Sequence, residues 1–446
     1  MAPLNIAIVG LGQRSRKSAV QVINDNGGLW RLVAACDTKD AAREAFALLH
    51  PNVPIFQDVL HLVQWHQQVT ATPINCAYVA VLHHLYSEVV VPLLEASIHV
   101  LKEKPAASTP EDLKSFQSLG ASNSARLKVA SQRRYGSHLG QMKEWIPFVG
   151  TINTVKARRK ISVANLGDDW RAKSSLAGGG AMGDIGWHIL DQVLCLVGNG
   201  SVPSVAYSKM FHIRTYQGHD CEDSASVILE FPNASTDGKA HSISAHLIVS
   251  RIGHEEVEDF VNTGEDGVLS SNGDEISLQL DFASGKRSFN VSTSYELVPE
   301  SDFERMLKAF HTEITLSSPS KTYYQHRSQD MLVTQTPQNI YRGAAPTCQK
   351  VSEPIEGALT DIKQKDSQPE RKRFQMQWPI VDADIEQAVI TQLHEDIHIW
   401  QRRGFRSVRD RIQGNAQHAN GIFSTARFGN KRSARALFCC WFTARR

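Results

Sequence analysis

Three side chains of this 446-residue chain are of types that handle a proton on a reacting oxygen: Lys104 in "VLKEKPAAST", and Asp184 and His188 in "GGGAMGDIGWHILD". An imidazole titrates close to neutral pH, a lysine ammonium stabilises negative charge growing on an oxygen, and a carboxylate nearby keeps that ammonium charged. Asp184 and His188 stand four positions apart, a spacing that puts both on one face of a helix and lets both point into one cleft. The glycines just ahead, Gly178 to Gly180, are expected to let the chain pass close beneath substrate and cofactor before that helix begins.

A second group of residues sits at the start of the chain, in "IAIVGLGQRS". Gly10 would make the tight turn after a first strand, and Gly12 would let the backbone approach a pyrophosphate at a helix N-terminus. Ser15 stands where a third glycine would complete the dinucleotide fingerprint. Asp37 ends the next apolar run, where a carboxylate accepts from ribose hydroxyls and repels a 2′-phosphate. NAD is therefore the expected cofactor, with Arg14 and Arg16 leaving NADP open. The expected cofactor contacts are Gly10, Gly12, Gln13, Arg14, Asp37, Glu103 and Lys104.

The elements that must carry these residues change character along the chain. Short β-branched runs ("NIAIVG", "LVAACD", "CAYVAV", "HVLKEKP") alternate with helical patterns over 1–125, which predicts a parallel sheet built from βαβ units. From 126 to 345, runs such as "TVKARRKISV", "SASVILEF" and "HSISAHLIVS" alternate with period two, as in a largely antiparallel sheet with one face buried. Residues 346–377 are polar and aperiodic, the pattern of a linker, and 378–446 hold a short helical piece followed by an Arg-rich tail.

On these motifs the chain resembles the Gfo/Idh/MocA oxidoreductases. The likeness covers about the first 345 residues: the G-x-G turn, the E-K-P of Glu103 to Pro105, the run from Gly178 to Asp191, "EDSAS" from Glu222 and "GEDGVL" from Gly264. It departs at Ser15 and at "VLHH" from Val81 to His84, where many relatives have a Thr-Pro type turn. The resemblance implies a Rossmann dinucleotide-binding domain followed by an α+β domain whose large, open, mostly antiparallel sheet forms a homo-oligomer contact. It also implies hydride transfer between a nicotinamide cofactor and a secondary alcohol of a sugar, sugar phosphate, nucleotide sugar or cyclitol. In that reaction His188 takes the hydroxyl proton, Lys104 stabilises the alkoxide, and Asp184 orients the hydroxyl and keeps the lysine charged. Trp170 and Arg171 stand where relatives contact a polyol or phosphate, and Arg134, at the end of a strand, is expected to face the same cleft. A dinucleotide-sensing regulator and a glycosidase using NAD as a redox relay are the other readings. Lys104 and His188 argue against the sensor, which has no need of a proton-transfer pair.

Global charge gives no pointer to nucleic acid or membrane: the net is +2. That average hides a local +10 over 401–446 and −8 before it. Seven scattered Cys without a C-x-x-C pair indicate neither a disulfide framework nor a zinc site, and adjacent His83 and His84 are not read as metal ligands. No apolar run reaches membrane-spanning length, so the reading is a cytoplasmic protein. The stretch from Trp378 to Gly404 resembles the opening of DegT-type sugar aminotransferases without their cofactor lysine. That likeness is read as a fusion or reading-frame remnant, hinting at a partner aminotransferase that would use a keto-sugar.

Overall fold

A computed structural model describes residues 3–343, apart from 70, 164–165, 167–168, 199, 201, 215–218, 235–240, 253–255, 273–274, 282–287 and 295–300. The expected linker and the aminotransferase-like segment with its basic tail lie outside the described residues.

The apolar runs of the first part form six parallel strands: β1 (Leu4–Val9), β2 (Trp30–Cys36), β3 (Ile55–Phe56), β4 (Cys76–Val79), β5 (His99–Lys102) and β6 (Leu127–Val129). Their order is β3-β2-β1-β4-β5-β6. It reverses direction between β1 and β4, and open parallel sheets bind ligands in the crevice that such a reversal leaves at the strands' carboxyl ends. The runs are continuous because helices bury both faces. Helices α1 (Val20–Asp25) and α2 (Asp40–Leu49) serve one face, while α3 (Val59–Gln68), α4 (Tyr86–Glu95) and α5 (Pro110–Ser122) serve the other. The parallel sheet does not stop at residue 125. Strand β6 extends it by three residues, and the Ala130 N–H continues the pairing to the Lys102 carbonyl at 2.7 Å. Charged Arg126 and Lys128 hide this edge strand from a hydropathy reading, yet both are buried, Arg126 against Glu313 and Lys128 over the Tyr135 ring.

The second sheet has eight strands: β7 (Ile152–Lys160), β8 (Ser204–Phe211), β9 (Ser224–Ala234), β10 (His241–Ser250), β11 (Val257–Gly264), β12 (Gly267–Ser271), β13 (Glu275–Asp281) and β14 (Ser288–Ser294). Their order is β14-β13-β12-β11-β7-β10-β9-β8, antiparallel throughout except for β7 beside β10. One face presents Val155, Ala157, Val227, Leu229, Ala245 and Leu247, all fully buried. The second part also carries α6 (Ser137–Trp145), α7 (Ser174–Ala177), α8 (Ala181–Asp184) and α9 (Gly186–Val197), the last packed on β7 and β10. Two late helices then turn back, α10 (Asp302–Thr315) and α11 (Lys321–Gly343). Helix α10 sets Phe303, Met306, Leu307 and Phe310 against Ile6, Ile8, Trp30 and Tyr78 of the first sheet. Burying each of those side chains contributes roughly 1.5–3 kcal/mol.

Candidate active site

At the crevice between β1 and β4, Gly10 has φ +91°, and a Cβ there would sit 2.4 Å from the Ala80 carbonyl oxygen. Both the dihedral and the contact require glycine. Gly12 faces open space, with no other atom within 4 Å of where its Cβ would be. Ser15 replaces the third glycine by folding its hydroxyl back onto the Gly10 carbonyl at 2.5 Å. Asp37, just past β2, accepts from the Leu11 N–H at 2.7 Å and the Lys39 N–H at 2.8 Å. An open glycine cradle, a helix start and a carboxylate at the end of the second strand are the parts that hold a dinucleotide's pyrophosphate and ribose. Gln13 and Arg14 are exposed beside that cradle. Arg14 donates to Glu103 Oε1 at 2.7 Å and lies over the Phe303 ring. Glu103 also accepts from the Tyr78 hydroxyl at 2.6 Å and is largely buried, so it ties the E-K-P turn to the glycine-turn helix.

That turn follows β5 and carries Lys104 out of the first sheet toward the second domain. Lys104 Nζ donates to Asp184 Oδ1 at 2.6 Å and to the Asp184 carbonyl at 3.2 Å. The other carboxylate oxygen meets Arg251 at 3.2 Å and Arg171 at 3.7 Å. Burial alone would raise the Asp184 pKa, but the Lys104, Arg251 and Arg171 charges hold it well below the usual carboxylate range. Arg251 has no signal in the sequence: it follows β10 in a plain "VSRIG", yet it is fully buried and also donates to the Gly180 carbonyl at 2.9 Å.

The glycine run serves a different neighbour from the one expected. Gly178 has φ +77°, while a Cβ on Gly179 would come 2.3 Å from the Tyr341 hydroxyl and one on Gly180 2.2 Å from the Glu222 carbonyl. The close approach is thus by protein groups. The buried Glu222 carboxylate accepts from the Gly180 and Met182 N–H groups, both at 2.8 Å, and from the Tyr341 hydroxyl at 2.7 Å. Tyr341 in turn accepts from the Gly183 N–H at 3.0 Å. Asp184 and His188 do not share one uninterrupted helix: Asp184 closes α8, Ile185 makes a turn, and His188 lies in the first turn of α9. Burial pushes the His188 pKa well below that of a free imidazole, and Lys104, Arg133 and Arg159 push the same way against Asp184. The ring is therefore neutral at pH 7.

Trp170 and Arg171 form a short turn beside this group, the guanidinium 4.4 Å above the indole. His83 meets the indole edge-on at 4.6 Å and bonds the Ala177 carbonyl through Nδ1 at 3.0 Å. Burial takes the His83 pKa down to about 4, so it too is neutral at pH 7. Arg134 departs from expectation. It sits in a turn, Gln132–Tyr135, rather than at a strand end, and its side chain is 2% exposed between Asp191 at 2.6 Å and Asp330 at 2.7 Å. A guanidinium held in the core between two carboxylates reaches no substrate.

Residues 4–131 match the oxidoreductase family with an NAD-binding Rossmann fold, and residues 141–270 match the GFO/IDH/MocA C-terminal domain. A protein of Amycolatopsis mediterranei described as the oxidoreductase subunit of a UDP-kanosamine synthase is 30% identical over 201 residues, which is 45% of this chain and 53% of that one. The chain thus spans about half the length of this relative. D-glucoside 3-dehydrogenase of Escherichia coli (strain K12) is 27% identical over 52% of this chain and 68% of its own. In fold the chain is similar to levoglucosan dehydrogenase in complex with NADH, with a TM-score of 0.64 and 17% identity, covering 77% of this chain and 98% of that one. A 3-ketoreductase from Actinomadura kijaniata, solved with NADP and TDP-benzene, has a TM-score of 0.63 at 15% identity, covering 77% of this chain and 98% of its own. The two matched domains, in this order on this architecture, make the chain a member of the Gfo/Idh/MocA oxidoreductase family, with an NAD-binding Rossmann domain at its N-terminal end.

Proposed function

We propose that this chain is an NAD-dependent oxidoreductase moving a hydride between nicotinamide and a secondary alcohol of a sugar, sugar phosphate, nucleotide sugar or cyclitol. The observation that carries this reading is the Lys104–Asp184 pair, which bridges the two domains four residues ahead of a neutral His188. The cofactor, when bound, takes or supplies the hydride. Lys104 gives two N–H donors to Asp184 and keeps a third for the reacting oxygen, where its charge stabilises alkoxide character. His188 accepts the hydroxyl proton in oxidation and returns it in reduction. Asp184, with both oxygens held by cations, fixes the lysine. Arg171, 42% exposed, presents a guanidinium that suits a phosphate on the substrate.

The named relatives support a sugar substrate, and the kanosamine relative supports a keto-sugar made for amino-sugar synthesis by a separate aminotransferase. Asp37 favours NAD over NADP. The open face of the second sheet is assigned to a homo-oligomer contact. Among the described residues no helix is long and apolar enough to cross a membrane; a cytoplasmic location is part of this proposal.

The test is NADH fluorescence during a screen of sugars, sugar phosphates, nucleotide sugars and inositols. Lys104→Ala is expected to lower kcat by about 10²–10³ and His188→Ala by about 10²–10⁴, both retaining NADH binding. Wild-type turnover that survives in both variants would overturn the assignment. Tight NAD binding without turnover of any compound would favour the sensor reading instead.

A further inference from the structure

Lys102 is the last residue of β5, in the parallel-sheet core, and has no solvent exposure. Placing an ammonium there costs several kcal/mol unless it is well partnered, and an aliphatic side chain would fill the position without that cost. Its partners are all on one short stretch. Nζ donates to the carbonyls of Glu103 at 3.0 Å, Pro105 at 2.5 Å and Ala106 at 2.8 Å. Three acceptors match the three N–H donors of a charged amine. The Tyr86 ring lies against the same nitrogen, 3.3 Å from its centroid, and adds a favourable cation–π contact. The Tyr86 hydroxyl donates at 3.1 Å to the carbonyls of Glu103 and Lys104. The backbone is thus gripped before Lys104, at Lys104 and after it.

We propose that Lys102, assisted by Tyr86, is a positioning residue that sets where the Lys104 amine meets Asp184, by binding the carbonyls on both sides of Lys104. Its importance for turnover rests on the dehydrogenase reading above, but the placement of Lys104 does not. Burial pushes the Lys102 pKa well below the usual lysine value, while Glu103 and Asp330 oppose that shift. The three carbonyls and the ring face also favour the charged form.

The experiment uses the full chain as Lys102→Met, Lys102→Gln and Tyr86→Phe. Acetylation of Lys104 by acetic anhydride is timed by mass spectrometry, alongside melting temperature, NADH affinity and, once a substrate is known, kcat and KM. Met keeps the length of the lysine stem without a donor, and Gln keeps two donors. Lys104 should be acetylated faster in Lys102→Met and Tyr86→Phe than in wild type. Lys102→Met should lower kcat by roughly 10- to 100-fold with KM and NADH affinity little changed, and Lys102→Gln should recover part of the loss. Acetylation at the wild-type rate in folded Lys102→Met overturns the proposal. If that variant does not fold, the same reading is taken from Lys102→Gln and Tyr86→Phe. If wild type turns over nothing, the dehydrogenase reading falls while the acetylation rates still decide this one.

Discussion

Arg134 and Lys104 are both cations paired with aspartates, and what separates their roles is exposure. The Lys104 and Asp184 side chains are each 18% exposed, so the pair can be approached from the cleft, whereas Arg134 and Asp191 are each 2% exposed. Removing Arg134 would leave Asp191 and Asp330 as neighbouring buried carboxylates without their cation. Arg134→Ala should therefore lose about 3–5 kcal/mol of stability, read as a shifted urea midpoint, while the surviving folded fraction keeps its NADH affinity. A variant as stable as wild type would contradict that account. The meeting of Lys104 with Asp184 was legible in the sequence because reactive side chains next to glycine leave a pattern. Arg251 and the Glu222 clamp were not, because their partners lie about 70 and 40 positions away and only folding brings them together. Arg134 misled for the same reason: an arginine after an apolar run looks alike whether it faces a cleft or two distant carboxylates.

Elements were legible where one hydrophobic period ran long enough. The alternation of β9 and β10 and the apolar runs of β1, β2 and β4 read directly, since each meets a uniform environment on each face. Strands β3 and β6, of two and three residues, are too short to establish a period. The break at Ile185 between α8 and α9 has no proline or glycine at the broken residue to announce it. The run ahead of that break is held by contacts rather than by glycine freedom alone, and this makes a specific expectation. Gly180 has a negative φ of −94°, and the Glu222 carbonyl and carboxylate occupy the space of a Cβ. Gly180→Ala should cost about 1–3 kcal/mol and displace α8, with a fall in turnover, whereas a control Gly140→Ala meets nothing within 4 Å. Equal melting temperatures for the two variants would show that the loop yields without cost.

On the scale of the whole molecule, buried imidazoles govern the response to acid. Burial lowers the pKa of His83 and His99 to about 4 and that of His326 to about 3. An imidazole with a depressed folded-state pKa is neutral in the native protein while the unfolded chain takes up a proton. Stability is therefore lost as pH falls from 6.5 toward the folded values. Asp330 works the other way: burial raises its pKa to about 6, so the native state holds a proton there that the unfolded chain has released. Three imidazoles, each moved further than this one carboxyl, should prevail. The melting temperature is expected to fall steadily from pH 7 to pH 4.5 in calorimetry, and a flat profile would mean that these rings are hydrated in the native state.

The packing of α10 under the first sheet has a temporal consequence. Phe303, Met306, Leu307 and Phe310 cover a sheet face whose first strand begins at Leu4, so the nucleotide-binding half cannot close its own core from its own residues. On a ribosome adding roughly 5–20 residues per second, that face waits about 15 to 60 s for its cover. During synthesis the chain therefore carries a bare apolar surface next to its glycine turn, which makes this stage a natural point for chaperone engagement and for aggregation if translation stalls.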